Sequence, residues 1–520
     1  MRRPGARPLP AEWGLLAALV AWAVVPVIVM ALHALHAHQR LTGADGLIGA
    51  DGVLGADQLQ YLAWARDAGA HGLISDLFTL APTGHVFLEP VSLLTGAIWR
   101  LGLSLQLAYL LWKPVAALAL FAAAFAWARR LADGPAARAA VIALSLFLYT
   151  PLAWLANWTA LGSGSFRFQL YLLGWELLPA NKLWGYVPSA LALALMPVAL
   201  LAIERALEPV RGRSGRPALV LACAAALLAS LLHPWQGVTL LLVLAGLAAW
   251  RALRGWRTLA LPALAAALPL FYYEALARGD PAWKLASANE VVARLPALVL
   301  LAGLGPLALI AAAGLRRPGE VVIERALLLW IAASFITYFT VDAFASHALQ
   351  GLSLPFAVLA VRGWRRLRLP ATLGALAVAL VSVPGLAWDA QKLLQSAHGT
   401  TPQYYVTASD ARALDWVAGH APAGGVLAPT PFAIVVPSQT GRAVWAGHPY
   451  WSSNYFARAR TAGELFAGRM RPARARAFVS ATGTSLLISD CAHRAELAPT
   501  LESLLASVHR FGCATVYVVR

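Results

Sequence analysis

Three aspartates recur at six-residue spacing in GADGLIGADGVLGADQLQYLAW, residues 43–64: Asp45, Asp51 and Asp57. A carboxylate set in an apolar chain can take the proton from a hydroxyl or amine as it attacks, which makes it a general base. Several together could hold Mg²⁺ or Mn²⁺. Positions six apart on a helix are turned by about 240° net, so only a folded loop would converge all three. The plainer reading of Asp45 and Asp51 is turn formation at Asp-Gly, and that of Asp57 is the N-cap of a following helix. A capping carboxylate can still act as a base, so Asp57 is the first candidate for that role and Asp51 the second. The sequence has no HExxH, paired CxxC, P-loop or Ser nucleophile elbow, so no dedicated metal site is expected beyond an Mg²⁺ or Mn²⁺ on the aspartates.

Where these residues lie follows from composition. Hydrophobic residues make up 60% of the 520, charged residues only 12%, and the mean hydropathy is +0.65, which excludes an ordinary soluble enzyme. The chain reads as a polytopic α-helical membrane protein of about 11 transmembrane helices. The spans fall near 12–35, 106–128, 139–158, 183–203, 217–232, 237–251, 258–276, 294–314, 326–341, 347–361 and 370–389. His33, His36 and His38 follow the first run where a cleavage site would need small residues, so it is read as a retained span, not a signal peptide.

Twenty of the 41 basic residues sit at the N-terminus and in every second loop. Arg129 and Arg130, Arg251 and Arg254, and Arg362, Arg365 and Arg366 are examples. This alternation predicts a cytoplasmic N-terminus and an outer C-terminus. It also accounts for the net charge of +17 without nucleic acid as a partner. Membrane lipid is the partner it implies.

The expected domains are therefore 1–390, transmembrane, and 391–520, an extracytoplasmic α/β domain. Residues 36–105 form a large outer loop that carries the aspartates. DQLQYLAWARDAGAHG predicts a short helix along the membrane surface, with Leu59, Leu62, Ala63 and Trp64 on one side and Gln58, Gln60 and Asp67 on others. HVFLEPVSLLTGAIWRLG is not counted as a span, because a crossing there would invert every later loop.

Three sequence features carry a resemblance: ADQLQYLAWARDAG in the first outer loop, the Pro-containing HVFLEP, and a span ending in WARRL. They resemble the membrane-embedded C-type glycosyltransferase superfamily, which includes protein mannosyltransferases and the aminoarabinose transferase of lipid A. The resemblance implies an enzyme that moves a sugar from a polyprenyl-phosphate donor to a glycan, lipid or protein acceptor outside the cytoplasmic membrane. The first-loop acid would be the base, close to Tyr61, and a single displacement would invert the sugar. A transporter or flippase of lipid-linked glycans, or an inactive scaffold on the same fold, are the alternatives. Two positions depart from the family pattern: Gln58 follows Asp57, and Glu89-Pro90-Val91 stands where relatives commonly carry Pro-Pro.

Further candidate substrate ligands are spread along the chain. Transfer from a phosphate needs its negative charge met, and Arg66, Arg167, Lys182 and Arg278 could do this or face lipid headgroups. His85 and Glu89 flank the Pro-containing segment, and Glu89 is either a second carboxylate or a group at the wet interface. His233 and Gln236 in LLHPWQG, and His347 in DAFASHALQG, line a cavity or belong to interfacial turns.

After about residue 390, GGVLAPT, TSLLISD and CATVYVV read as strands between the helical patterns DARALDWVAGH and ELAPTLESLLASV. Arg442, His448, Tyr450, Trp451 and Asn454 suit sugar contact or simple loop packing. Cys491 and Cys513 are placed where neighbouring parallel strands could bring them into a disulfide or leave two buried thiols. Cys223 reads as a core residue.

Overall fold

The computed structural model describes residues 9–44, 53–209, 214–315, 321–397 and 403–520. Among them, six helices are long and apolar enough to cross a membrane: Pro10–His36, Leu105–Leu131, Val187–Leu207, Trp256–Gly279, Val322–Thr340 and Ala371–Gln395, the second and last each including a short break. A seventh crossing arises if Pro135–Phe147 and Pro151–Thr159, bent by 53°, count as one. The bend has a local cause. Pro151 brings no N–H to the ladder, and Thr150 is extended and caps the second helix through its hydroxyl.

This is a multi-pass membrane protein. Four of the expected spans are the helices Arg216–Leu232, Pro234–Trp250, Ala297–Ala313 and Ser353–Arg366, of 17, 17, 17 and 14 residues. Each is shorter than the ~20 residues a straight crossing takes, so length and composition support six or seven crossings and not the expected eleven. A helix over Gly164–Leu177 and a 3₁₀ turn over Pro179–Leu183 fill a stretch read as loop.

The chain packs as two compact units. The first comprises residues 1–25, 112–273 and 291–392. Its most buried long helix is Val187–Leu207, packed against Trp112–Leu131 and Arg216–Leu232. Trp22 stacks on Trp184 at 4.1 Å, and the Trp184 indole donates to the Trp22 carbonyl. Ala297–Ala313 and Ser353–Arg366 meet backbone to backbone: a Cβ on Gly363 would collide with the Ile310 carbonyl oxygen. Small residues let helices approach this closely where lipid offers no hydrophobic drive to associate.

The second unit comprises residues 26–111, 274–290 and 393–520. Its strands are β1 (Gln39–Leu41), β2 (Tyr405–Thr407), β3 (Val426–Leu427), β4 (Leu486–Ser489), β5 (Leu505–Phe511) and β6 (Ala514–Val519). β1 pairs antiparallel with β2, Leu41 opposite Tyr405. The others form a sheet of order β3-β4-β6-β5, with β3–β4 parallel and the remaining pairs antiparallel. Leu427, Leu487 and Tyr517 of the sheet pack against Leu465 and Phe466 of the Tyr455–Phe466 helix and Val479 of the Pro472–Thr482 helix.

ELAPTLESLLASV is helical only over its first part, Ala498–Leu501 and the 3₁₀ turn Glu502–Leu504; its end becomes β5. β5 pairs with β6 along its length, and that tertiary pairing overrides local propensity.

Cys491 and Cys513 are bridged, with Cα atoms 4.8 Å apart. The strands beside them, β4 and β6, run antiparallel and not parallel as expected. Closing such a loop contributes roughly 3 kcal/mol by the chain-entropy model. Alkylation of the denatured protein should label Cys223 alone before reduction and all three cysteines afterwards; three labelled without reductant would refute the bridge.

Candidate active site

The helix carrying Asp57 runs from Val53 to His71. Asp57 therefore lies within its second turn and is not the N-cap. Nothing in the preceding Val-Leu-Gly-Ala stops a helix from starting earlier, since Ala is the best helix former and one Gly costs only about 1 kcal/mol. The helix is not a surface helix within its unit either: Gln58, Gln60 and Asp67 are buried along with Leu59, Leu62 and Ala63. It packs on the helix Pro90–Arg100, where a Cβ on Gly96 would strike the Ala65 carbonyl and the Gly69 nitrogen.

Asp57 keeps 24% of its side chain exposed, and its Oδ1 lies 3.3 Å from Nε2 of the fully buried His448. Tyr61, one turn on, shares its face. Burial pushes the Tyr61 phenol above its ordinary range, and the negative charges of Asp57, Glu89 and Glu290 push it further the same way. Three carboxylates therefore act on this one ring. Glu89 is the buried N-cap of Pro90–Arg100, accepting from Val91 N at 3.0 Å and Ser92 N at 2.6 Å. It does not face a wet interface. Burial raises the Glu89 carboxyl, and the hydrogen bonds from Ser92 and Val91 oppose that.

Glu290, missed in the sequence, is pushed up to about 8, by burial first and by the Asp57 charge second. The Asp57 charge thus adds to the cost of ionising Glu290 and favours its protonated form.

The surroundings hold this group in place. Trp64, Phe87, Trp283 and Trp451 form a box of edge and tilted contacts with ring centroids 4.4 to 5.7 Å apart. Asn289, next to Glu290, donates to the Tyr450 carbonyl at 2.8 Å. Trp451 is thus a packing residue, as is Arg442, which donates to the Ala421 carbonyl. Arg66 lies over the Trp99 ring at 5.0 Å, with the Ser438 carbonyl 3.4 Å from its guanidinium. His85 joins Asp67 and His71 in a separate cluster of the same unit. Asp45 and Asp51 lie outside the described residues.

In the first unit, Lys182, His233, Gln236 and His347 gather about a second acid that sequence reasoning missed, Glu176. Its carboxylate accepts from Lys182 Nζ at 2.7 Å, Gln350 Nε2 at 2.7 Å and Ser346 Oγ at 3.2 Å, and meets His347 Nδ1 at 2.8 Å. Burial works against its ionisation, yet Lys182 and His347 hold it well below the usual carboxylate range. Gln236 donates to the Gln350 carbonyl, and the His233 ring lies 5.5 Å from that of His347. Lys182 is thus neutralised by a buried partner within its own unit. Arg167 is half-buried and donates to the Ala160 and Gly162 carbonyls, while Arg278 is exposed and paired with Glu274. A signal for Glu176 was present: it is the one acid between Asp133 and Glu204, in a largely apolar stretch.

Two raised carboxyls fix the sign of a pH effect. Asp76, buried and accepting from Phe78 N, is pushed up to about 7, and Glu290 to about 8. Unfolded carboxyls titrate near 4. The folded form therefore binds more protons in between, and its stability is lost as pH rises through 7 to 8. Melting in detergent should occur at lower temperature at pH 9 than at pH 5, and Asp76→Asn should flatten that slope; an unchanged slope would contradict the assignment.

No protein-family model matches this sequence, and no curated protein matches it. Solved structures do. The archaeal oligosaccharyltransferase AglB from Archaeoglobus fulgidus, in complex with an inhibitory peptide and a dolichol-phosphate, aligns at TM-score 0.50 and 12% identity over 94% of this chain and 70% of its own. An apo form of the A. fulgidus oligosaccharyltransferase gives TM-score 0.50 and 12% identity over 98% and 74%. ArnT from Cupriavidus metallidurans in the apo state gives 0.47 and 13% over 96% and 98%. The oligosaccharyltransferases are C-type glycosyltransferases, and the fold of this chain resembles theirs.

Proposed function

We propose that this chain is an inverting glycosyltransferase that moves a sugar from a polyprenyl-phosphate-linked donor to an acceptor on the outer face of the cytoplasmic membrane. The observation that carries the reading is the partly exposed Asp57 carboxylate, 3.3 Å from the buried His448 imidazole, in a chain whose fold resembles that of membrane glycosyltransferases. AglB was captured with dolichol-phosphate and a peptide, which supports a lipid phosphate as the leaving group. The acceptor's hydroxyl or amine attacks the anomeric carbon, Asp57 takes its proton, and the bond to the lipid phosphate breaks with its electron pair leaving on oxygen. One displacement inverts the anomeric centre. Asp57 supplies the base, while Glu290, pushed up to about 8, does not repel an incoming phosphate at pH 7.

The basic loops support a cytoplasmic N-terminus, and the disulfide suits an extracytoplasmic domain over 391–520, after a transmembrane domain over 1–390.

The test is product analysis. Purified protein in liposomes is given polyprenyl-phosphate-linked mannose, arabinose or aminoarabinose with membrane-lipid and peptide acceptors. Acceptor-dependent release of polyprenyl phosphate and an inverted product anomer are expected. Retained configuration would sink the single displacement. Movement of intact donor across the bilayer without release would mean a transporter, and neither outcome with any donor would mean an inactive scaffold.

A further inference from the structure

We propose that Asp67, His71 and His85 bind one divalent cation of the Zn²⁺ class. Asp67 and His71 stand four residues apart on one helix face, side by side. His85 comes from the loop beyond, and its ring centroid lies 4.1 Å from that of His71. One ligand atom from each of the three falls within 4.8 Å of the others. Asp67 Oδ1 is 2.8 Å from His71 Nδ1 and 3.4 Å from His85 Nε2. Ligands about 2.0–2.2 Å from a tetrahedral ion stand roughly 3.3–3.6 Å apart, so small side-chain rotations suffice.

Two further features fit a built site. The second carboxylate oxygen of Asp67 is fixed by Ser75, whose N–H donates at 2.6 Å and hydroxyl at 2.9 Å, the kind of outer contact that orients a metal ligand. The loop that presents His85 is itself held: Ile74 bridges to Phe87, and Asp76 accepts from Phe78 N. Asp67 is 3% exposed while His71 and His85 are 51% and 37% exposed, so an ion would be reached from one side and keep a place for water.

The donor set decides the ion. Two imidazoles and one carboxylate suit Zn²⁺ and its borderline neighbours, whereas Mg²⁺ and Mn²⁺ prefer oxygen. The cation would tie residues 72–87 to the Val53–His71 helix. Its failure would leave the proposed transfer chemistry standing, because Asp57 and Glu290 are not among the ligands.

The full-length protein, purified in detergent and stripped with EDTA, is titrated with Zn²⁺ by calorimetry and with Co²⁺ by visible absorption. One equivalent of Zn²⁺, a four-coordinate Co²⁺ spectrum and a raised melting temperature are expected, undisturbed by millimolar Mg²⁺. His71→Ala, a change at a half-exposed position, should abolish the Co²⁺ spectrum. Ser75→Ala should weaken binding by about 10-fold, and His420→Ala, at an exposed position elsewhere, should change nothing. Zn²⁺ stoichiometry near zero in the wild type, or equal binding in His71→Ala, would overturn the site and leave a plain hydrogen-bonded Asp–His pair.

Discussion

Asp57→Asn should lower the transfer rate by about 10²- to 10⁴-fold, the usual worth of a general base, with donor KM changed far less. Asparagine keeps the shape of the side chain and loses its basicity, so a fold-level explanation is checked by an unchanged melting temperature. The substitution has a second readout. Asp57 contributes to holding Glu290 up to about 8, so removing its charge should bring the Glu290 carboxyl down. The residual rate should then lose its dependence on pH between 7 and 9. If Asp57→Asn were fully active while Asp51→Asn was dead, the base would be Asp51.

Lys182→Ala should be the most destabilising single change in the first unit. It strands Glu176, a carboxylate 3% exposed, with its ammonium partner gone. Breaking a buried ion pair from one side typically costs about 3–5 kcal/mol, because the remaining charge stays desolvated. Lys182→Met combined with Glu176→Gln should recover most of that loss, since both charges are then absent. Thermal unfolding of the three proteins in one detergent checks the pattern. A Lys182→Ala shift worth under about 1 kcal/mol would mean that His347, Gln350 and Ser346 suffice to hold the anion.

What could be read in advance divides by distance along the chain. Apolar runs and basic loops are local, and they located the long helices and the membrane class. The pairing of Cys491 with Cys513 was also within reach, because 22 residues separate them. Asp57 and Tyr61 are one turn apart, so the helix alone brings them together. Glu290 and His448 could not be linked to Asp57 in this way, since each arrives through tertiary folding from more than about 200 residues away. The same holds for Glu176, gathered with His347 and Gln350 from a later segment. Glu89 was legible as an acid before Pro, but its capping bonds depend on where the next helix starts. The Asp67–His71–His85 group was hidden differently. Its loop member has no fixed period, and only the folded turn between Ile74 and Phe87 places it.

The pairing of β1 with β2 also sets a schedule for biogenesis. Leu41 waits for Tyr405, about 360 residues later, so the strand is made long before its partner leaves the ribosome. At 5–20 residues per second that delay is roughly 20–70 s, during which the Asp57 helix and the loop after it lack their C-terminal companions. Throughout that interval the nascent segment carries an unmatched strand edge. A chain truncated before residue 405 should therefore be a substrate for membrane quality control rather than a stable half-protein.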